Sequence, residues 1–75
     1  MHKDFWKSLF HWLETASLIE IAAKQSILRE TLKQISDREL RSDIRRILRF
    51  MDEEILARTE LDRAMARSAS VPLGG

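Results

Sequence analysis

A chain of 75 residues and 8.8 kDa is one small domain at most, near the size at which a single core barely offsets the entropy of ordering the backbone. It contains no cysteine, which excludes a disulfide framework and thiolate metal sites, and its net charge of +1 selects neither nucleic acid nor an acidic partner. Charged residues at 33% and hydrophobic ones at 44% suit a helical globular chain, and association between copies is the expected substitute for the missing staples.

The first residues mix Lys3, Asp4, Lys7 and His11 with apolar side chains, unlike the segregated pattern of a secretory signal. The longest mostly apolar run, residues 18–23, is interrupted by Glu20 and is far shorter than the roughly twenty residues that a membrane span needs. The expected location is the cytoplasm.

Residues 3–34 contain neither Gly nor Pro, and Phe5, Leu9, Trp12, Ala16, Ile19, Ala23 and Ile27 recur at steps of three and four. That spacing predicts one long first helix, widened by Phe10, Leu13, Ile21, Leu28 and Leu32 beyond what a single neighbouring helix could cover. A second tract carries Leu40, Ile44, Ile47, Leu48, Met51 and Ile55 on one stripe and extends to about residue 67, so it too reads as an amphipathic helix.

Between the tracts, Ile35-Ser36-Asp37-Arg38-Glu39-Leu40 reads as a helix start. Ser36 is the expected N-cap, Glu39 its capping-box partner, and Ile35 with Leu40 the hydrophobic staple. The apolar stripes on either side are about a third of a turn out of phase, which also calls for a bend. The predicted fold is all-α: helix 1 over 3–34, a turn at 35–36, helix 2 over 37–67, and a C-terminal tail over 68–75 that holds Pro72, Gly74 and Gly75. Folding at Ser36 sets Leu32 opposite Leu40, Ile27 opposite Ile44 and Ala16 opposite Ile55, and it brings Phe5, Trp6 and Phe10 beside Leu61 and Met65. Two such hairpins are expected to dimerise into a four-helix bundle. Basic residues gather at the turn and acidic ones at the open end, a pattern that favours antiparallel pairing.

No constellation for catalysis, for a metal or for a cofactor is evident, and no small-molecule substrate is implied. His11 and Glu14 stand one turn apart without further ligands, and Asp52, Glu53 and Glu54 diverge as neighbours on a helix do. A non-enzymatic regulatory or adaptor protein is the expected function. Phe5, Trp6, Phe10 and Trp12 form its candidate protein-partner surface; a membrane surface suits this arc less well, because Asp4 and Glu14 dilute the charge of Lys3 and Lys7. The alternative is an RNA- or DNA-binding regulator that grips phosphates or an acidic partner with Arg38, Arg41, Arg45, Arg46 and Arg49. Base stacking beside that row is not expected, since four of the five aromatics lie within the first twelve residues.

Leu32-Lys33-Gln34-Ile35-Ser36-Asp37-Arg38-Glu39-Leu40 resembles the Leu-Ser-Asp-Arg-Glu-Leu portion of a motif in small, Arg-rich bacterial YjiS-like proteins, and the resemblance implies a link to RNA regulation. The Asp-Ile-Gly-Leu that follows in that family is replaced here by Arg41-Ser42-Asp43-Ile44-Arg45, with the Asp-Ile pair shifted and the Gly missing. In outline the chain is also similar to the Rop type of RNA-binding hairpin, which dimerises as a four-helix bundle.

Overall fold

The computed structural model describes residues 2–70, with side chains as far as Arg67. It is all-helical over those residues, with α1 Lys3–Thr15, α2 Leu18–Gln34 and α3 Arg38–Ser70. The expected hairpin of two helices is therefore corrected to three, because the first helical tract breaks at Ala16 and Ser17. Of the expected tail, residues 68–70 continue α3 and residues 71–75 lie outside the described residues.

The break has a local cause. Ser17 takes extended backbone angles, and its hydroxyl oxygen accepts from the Glu20 N–H at 3.1 Å, an N-cap at the head of α2. Ser17-Leu18-Ile19-Glu20 has capping-box spacing, and Ala16 and Ile21, both buried, occupy the two staple positions around it. On the other side, the Thr15 hydroxyl donates to the His11 and Trp12 carbonyls and the Ala16 N–H to Trp12 at 2.8 Å. These bonds satisfy part of the last turn of α1, whose carbonyls have no partners within the helix.

An arginine satisfies more of it. From α3, Arg58 reaches the end of α1, donating from Nη1 to the Ala16 carbonyl at 2.5 Å and from Nη2 to the Leu13 carbonyl. Its Nε holds Glu54 at 3.0 Å. Arg41 does the same for α2, donating to the carbonyls of Leu32 at 2.6 Å and Ile35 at 2.8 Å. Each of the first two helices thus ends on a guanidinium supplied by the third, where a cation also suits the negative end of the helix dipole. This accounts for two helix ends that lack the usual glycine.

The second turn is capped one residue later than expected. Asp37, not Ser36, precedes the first residue of α3; its carboxylate accepts from the Glu39 N–H at 3.2 Å and its carbonyl from the Arg41 N–H at 2.9 Å. Ile35 is the extended C-cap of α2, which leaves Ser36 exposed between the two. Ile35 and Leu40, the expected staple, are each half-buried.

Contacts along α3 set the directions. Trp6 lies against Phe50 at 5.9 Å between ring centroids and Phe10 against the same ring at 5.0 Å, while Leu13 and Ala16 meet Arg58 farther along. Consequently α1 runs parallel to α3, and Phe5, Trp6 and Phe10 do not reach Leu61 and Met65 as the hairpin required. α2 runs antiparallel, but its register is displaced. Gln25, which the expected ladder sets near Arg46, donates to Asp52 at 2.5 Å, and Arg29 stands 3.8 Å from the same carboxylate. The core is small: Leu9, Leu13, Ala16, Ile21, Ile47 and Met51 form one buried cluster, flanked by Trp6, Trp12, Leu28, Phe50 and Ile55.

Two expectations follow for stability. Arg58→Met should cost about 2–3 kcal/mol by leaving helix-end carbonyls unmatched, and Arg58→Lys should recover only part of it, since an ammonium cannot serve two carbonyls and a carboxylate in one plane. Asp37→Ala should cost about 1 kcal/mol and Ser36→Ala close to nothing. Urea denaturation of the four variants decides both; equal losses at Ser36 and Asp37 would contradict the cap assignment.

Candidate functional site: an apolar groove between α1 and α2

α1 and α2 are joined at the Ala16-Ser17 corner and lie side by side on α3 without closing on each other. The space between them is a groove of about 370 Å³. Its α1 wall is Phe5, Ser8, Leu9 and Trp12, its α2 wall Lys24, Ile27 and Leu28, and its floor Ile47 and Met51 from α3. Helical spacing explains the walls. Phe5, Ser8, Leu9 and Trp12 recur at steps of three and four, and so do Lys24, Ile27 and Leu28; each set shares a face of its helix. Toward the corner a smaller recess adds Glu20 and Ala23 beside Trp12, Lys24 and Ile27. Only the Ser8 hydroxyl and the Lys24 ammonium interrupt the apolar lining of the main groove.

The aromatic arc expected to receive a partner is divided by this geometry. Phe5 and Trp12 line the groove. Trp6 and Phe10 belong to the seam between α1 and α3, edge-on to Phe50, although Phe10 keeps 42% of its surface exposed. Sequence reasoning missed Ile27, Lys24 and Leu28 as groove residues because it placed them along one continuous helix with Phe5 and Trp12, on which no groove between the two sets could exist.

The arginine row is divided as well. Arg41 is turned inward onto α2, and the Arg46 guanidinium sits 4.9 Å above the Trp6 ring, a cation–π contact that helps cover α1. Arg38, Arg45 and Arg49 are exposed and make no ion pair among the described residues. Their spacing keeps them on one face of α3. The acidic run is occupied structurally: Asp52 takes Gln25 and Arg29, and Glu54 takes Arg58. Glu53 borders a separate recess of about 310 Å³ with Phe10, Glu14 and Phe50. Among the described residues no three His, Cys, Asp or Glu side chains converge as metal ligands would, and no helix is long and apolar enough to cross a membrane.

Floor and rim of the groove should respond differently to substitution. Met51, 2% exposed, should cost about 2–5 kcal/mol as Met51→Ala. Ile27, 57% exposed, should tolerate Ile27→Asp within about 0.5 kcal/mol in the isolated chain. Thermal unfolding at low concentration measures both. Compared with known proteins, no family model, no curated protein and no solved structure matches this chain, and the likeness to YjiS-like proteins stays confined to residues 32–40.

Proposed function

We propose that this chain is a small, non-enzymatic regulatory or adaptor protein of the cytoplasm that binds another polypeptide by taking an amphipathic helix into the groove between α1 and α2, and that it works as a homodimer of four-helix-bundle type. The observation that carries this reading is the groove itself. It is elongated along two helices, apolar on both walls, and floored by a third helix. Such a surface offers an incoming helix anchor points at helical spacing and has few polar groups to leave unpaired. Lys24 adds one charge at the rim that can select an acidic residue beside the apolar stripe of the incoming helix.

A second reading, regulation through RNA or DNA, draws on Arg38, Arg45 and Arg49, exposed on a common face. It is the weaker one, because Arg41 and Arg46 are engaged within the fold and three arginines give a short electrostatic footprint.

Affinity capture from the native cell with and without nuclease separates the two. The expected result is a dominant protein recovered equally under both conditions, reduced at least about tenfold by Ile27→Asp, the equivalent of roughly 1.4 kcal/mol, and unaffected by Arg38→Gln, Arg45→Gln and Arg49→Gln together. Recovery that depends on nucleic acid and disappears with the arginines would overturn the groove reading.

A further inference from the structure

Charge is confined to one edge of the groove. Toward the corner the groove opens into the recess of about 300 Å³ lined by Trp12, Glu20, Ala23, Lys24 and Ile27, where only Glu20 and Lys24 are charged. Both belong to α2 and stand at i and i+4, about 6 Å apart along the axis at 1.5 Å per residue, with Glu20 nearer the corner. Ala23, a single methyl, leaves the space between them open. Both side chains are exposed, and neither makes an ion pair among the described residues.

Trp12 borders the same recess from α1. Its ring is half-buried and has neither a ring contact nor a cation over it among the described residues. The other tryptophan of the chain shows what such a ring accepts: the Arg46 guanidinium lies 4.9 Å above Trp6. Trp12 offers an indole face with a carboxylate, Glu20, in the same recess. That combination is a seat for a guanidinium, which stacks on the ring and donates paired hydrogen bonds to the carboxylate. One turn along, the Lys24 ammonium is complementary to an acidic side chain.

We infer that the partner helix seated in the groove carries, on the flank of its apolar stripe that meets α2, an arginine and an acidic residue one turn apart, the arginine between Trp12 and Glu20 and the acid over Lys24. The inference rests on the reading of the groove as a seat for an amphipathic helix, and it gives that seat a direction. Apolar anchors alone do not set one, because the walls α1 and α2 run in opposite directions. Charge does. With the pair on a given flank, only one direction brings that flank to α2, and only one order of the two charges then matches Glu20 and Lys24. The edge of the groove thereby selects among helices of equal hydrophobicity, by repulsion as well as by attraction.

The test titrates the full chain with two capped helical peptides of about 18 residues, long enough to hold a helix in water. Each carries leucines at i, i+4 and i+7 for the groove and a Glu and an Arg one turn apart on the same flank, in the order Glu then Arg in one peptide and Arg then Glu in the other. Their composition is identical. Calorimetry should show one order bound about tenfold more tightly than the other. Glu20→Lys with Lys24→Glu should invert that preference, which a difference in the peptides' own helicity could not do. Glu20→Gln with Lys24→Gln, which keeps a capping-box side chain at position 20, should abolish it while circular dichroism shows the chain still helical. Equal affinity for the two orders, or a preference that survives both double variants, would overturn the inference. If the two orders bind equally and Ile27→Asp removes both, the groove reading stands and the charge pattern alone fails; if neither peptide binds, or Ile27→Asp leaves both bound, both fall.

Discussion

The fold depends on two guanidinium groups placed at the ends of helices they do not belong to. A helix that stops leaves carbonyls facing outward, and here neither α1 nor α2 has a glycine at hand to turn the chain and satisfy them. Arg58 and Arg41 meet that need from α3. One side chain thereby joins the corner between α1 and α2 to the third helix, and the other joins the opposite end of α2. With a core as small as this one, charge-assisted hydrogen bonds of this kind are a large share of the net stability. They also set the lengthwise position of the α1–α2 layer on α3, and with it the length of α3 left uncovered.

Function in this account follows from that position. Because the layer ends at Arg58, α3 outlasts its neighbours and carries its apolar stripe beyond them. Because α1 is held against α3 by the Trp6, Phe10 and Phe50 rings and by Arg46, it does not close against α2, and the apolar walls headed by Phe5, Trp12 and Ile27 stay apart. Both unfilled surfaces arise from the same packing.

Much of this was legible in the residues. The periodicity of the second tract announced α3, and Ile35-Ser36-Asp37 marked the turn to within one residue; Asp37 displaced Ser36 because either side chain can cap and the C-cap of α2 already occupies Ile35. The corner at Ala16-Ser17 was harder. Its signal, Ser17 followed three residues later by Glu20, was present, but Trp12, Ala16, Ile19 and Ala23 carry an unbroken helical period across it, and neither Gly nor Pro punctuates the stretch. Breaking the helix rotated the buried face of the second segment onto Ile21, Gln25 and Leu28, leaving Ile19 and Ile27 outside. The arginines illustrate a different limit. Spacing shows which face of a helix a residue leaves from, but a side chain as long as arginine can fold back over a neighbouring helix, and only the packing decided that Arg41 and Arg46 turn inward while Arg38, Arg45 and Arg49 do not.

The most direct measurement is amide hydrogen exchange of the full chain with and without the protein that it captures from the cell. The account predicts that residues 24–28, on the α2 wall of the groove, gain protection when that protein is bound and that Ile27→Asp removes the gain. Protection along residues 24–28 that the bound protein leaves unchanged, or that the Ile27→Asp chain gains equally, would contradict it.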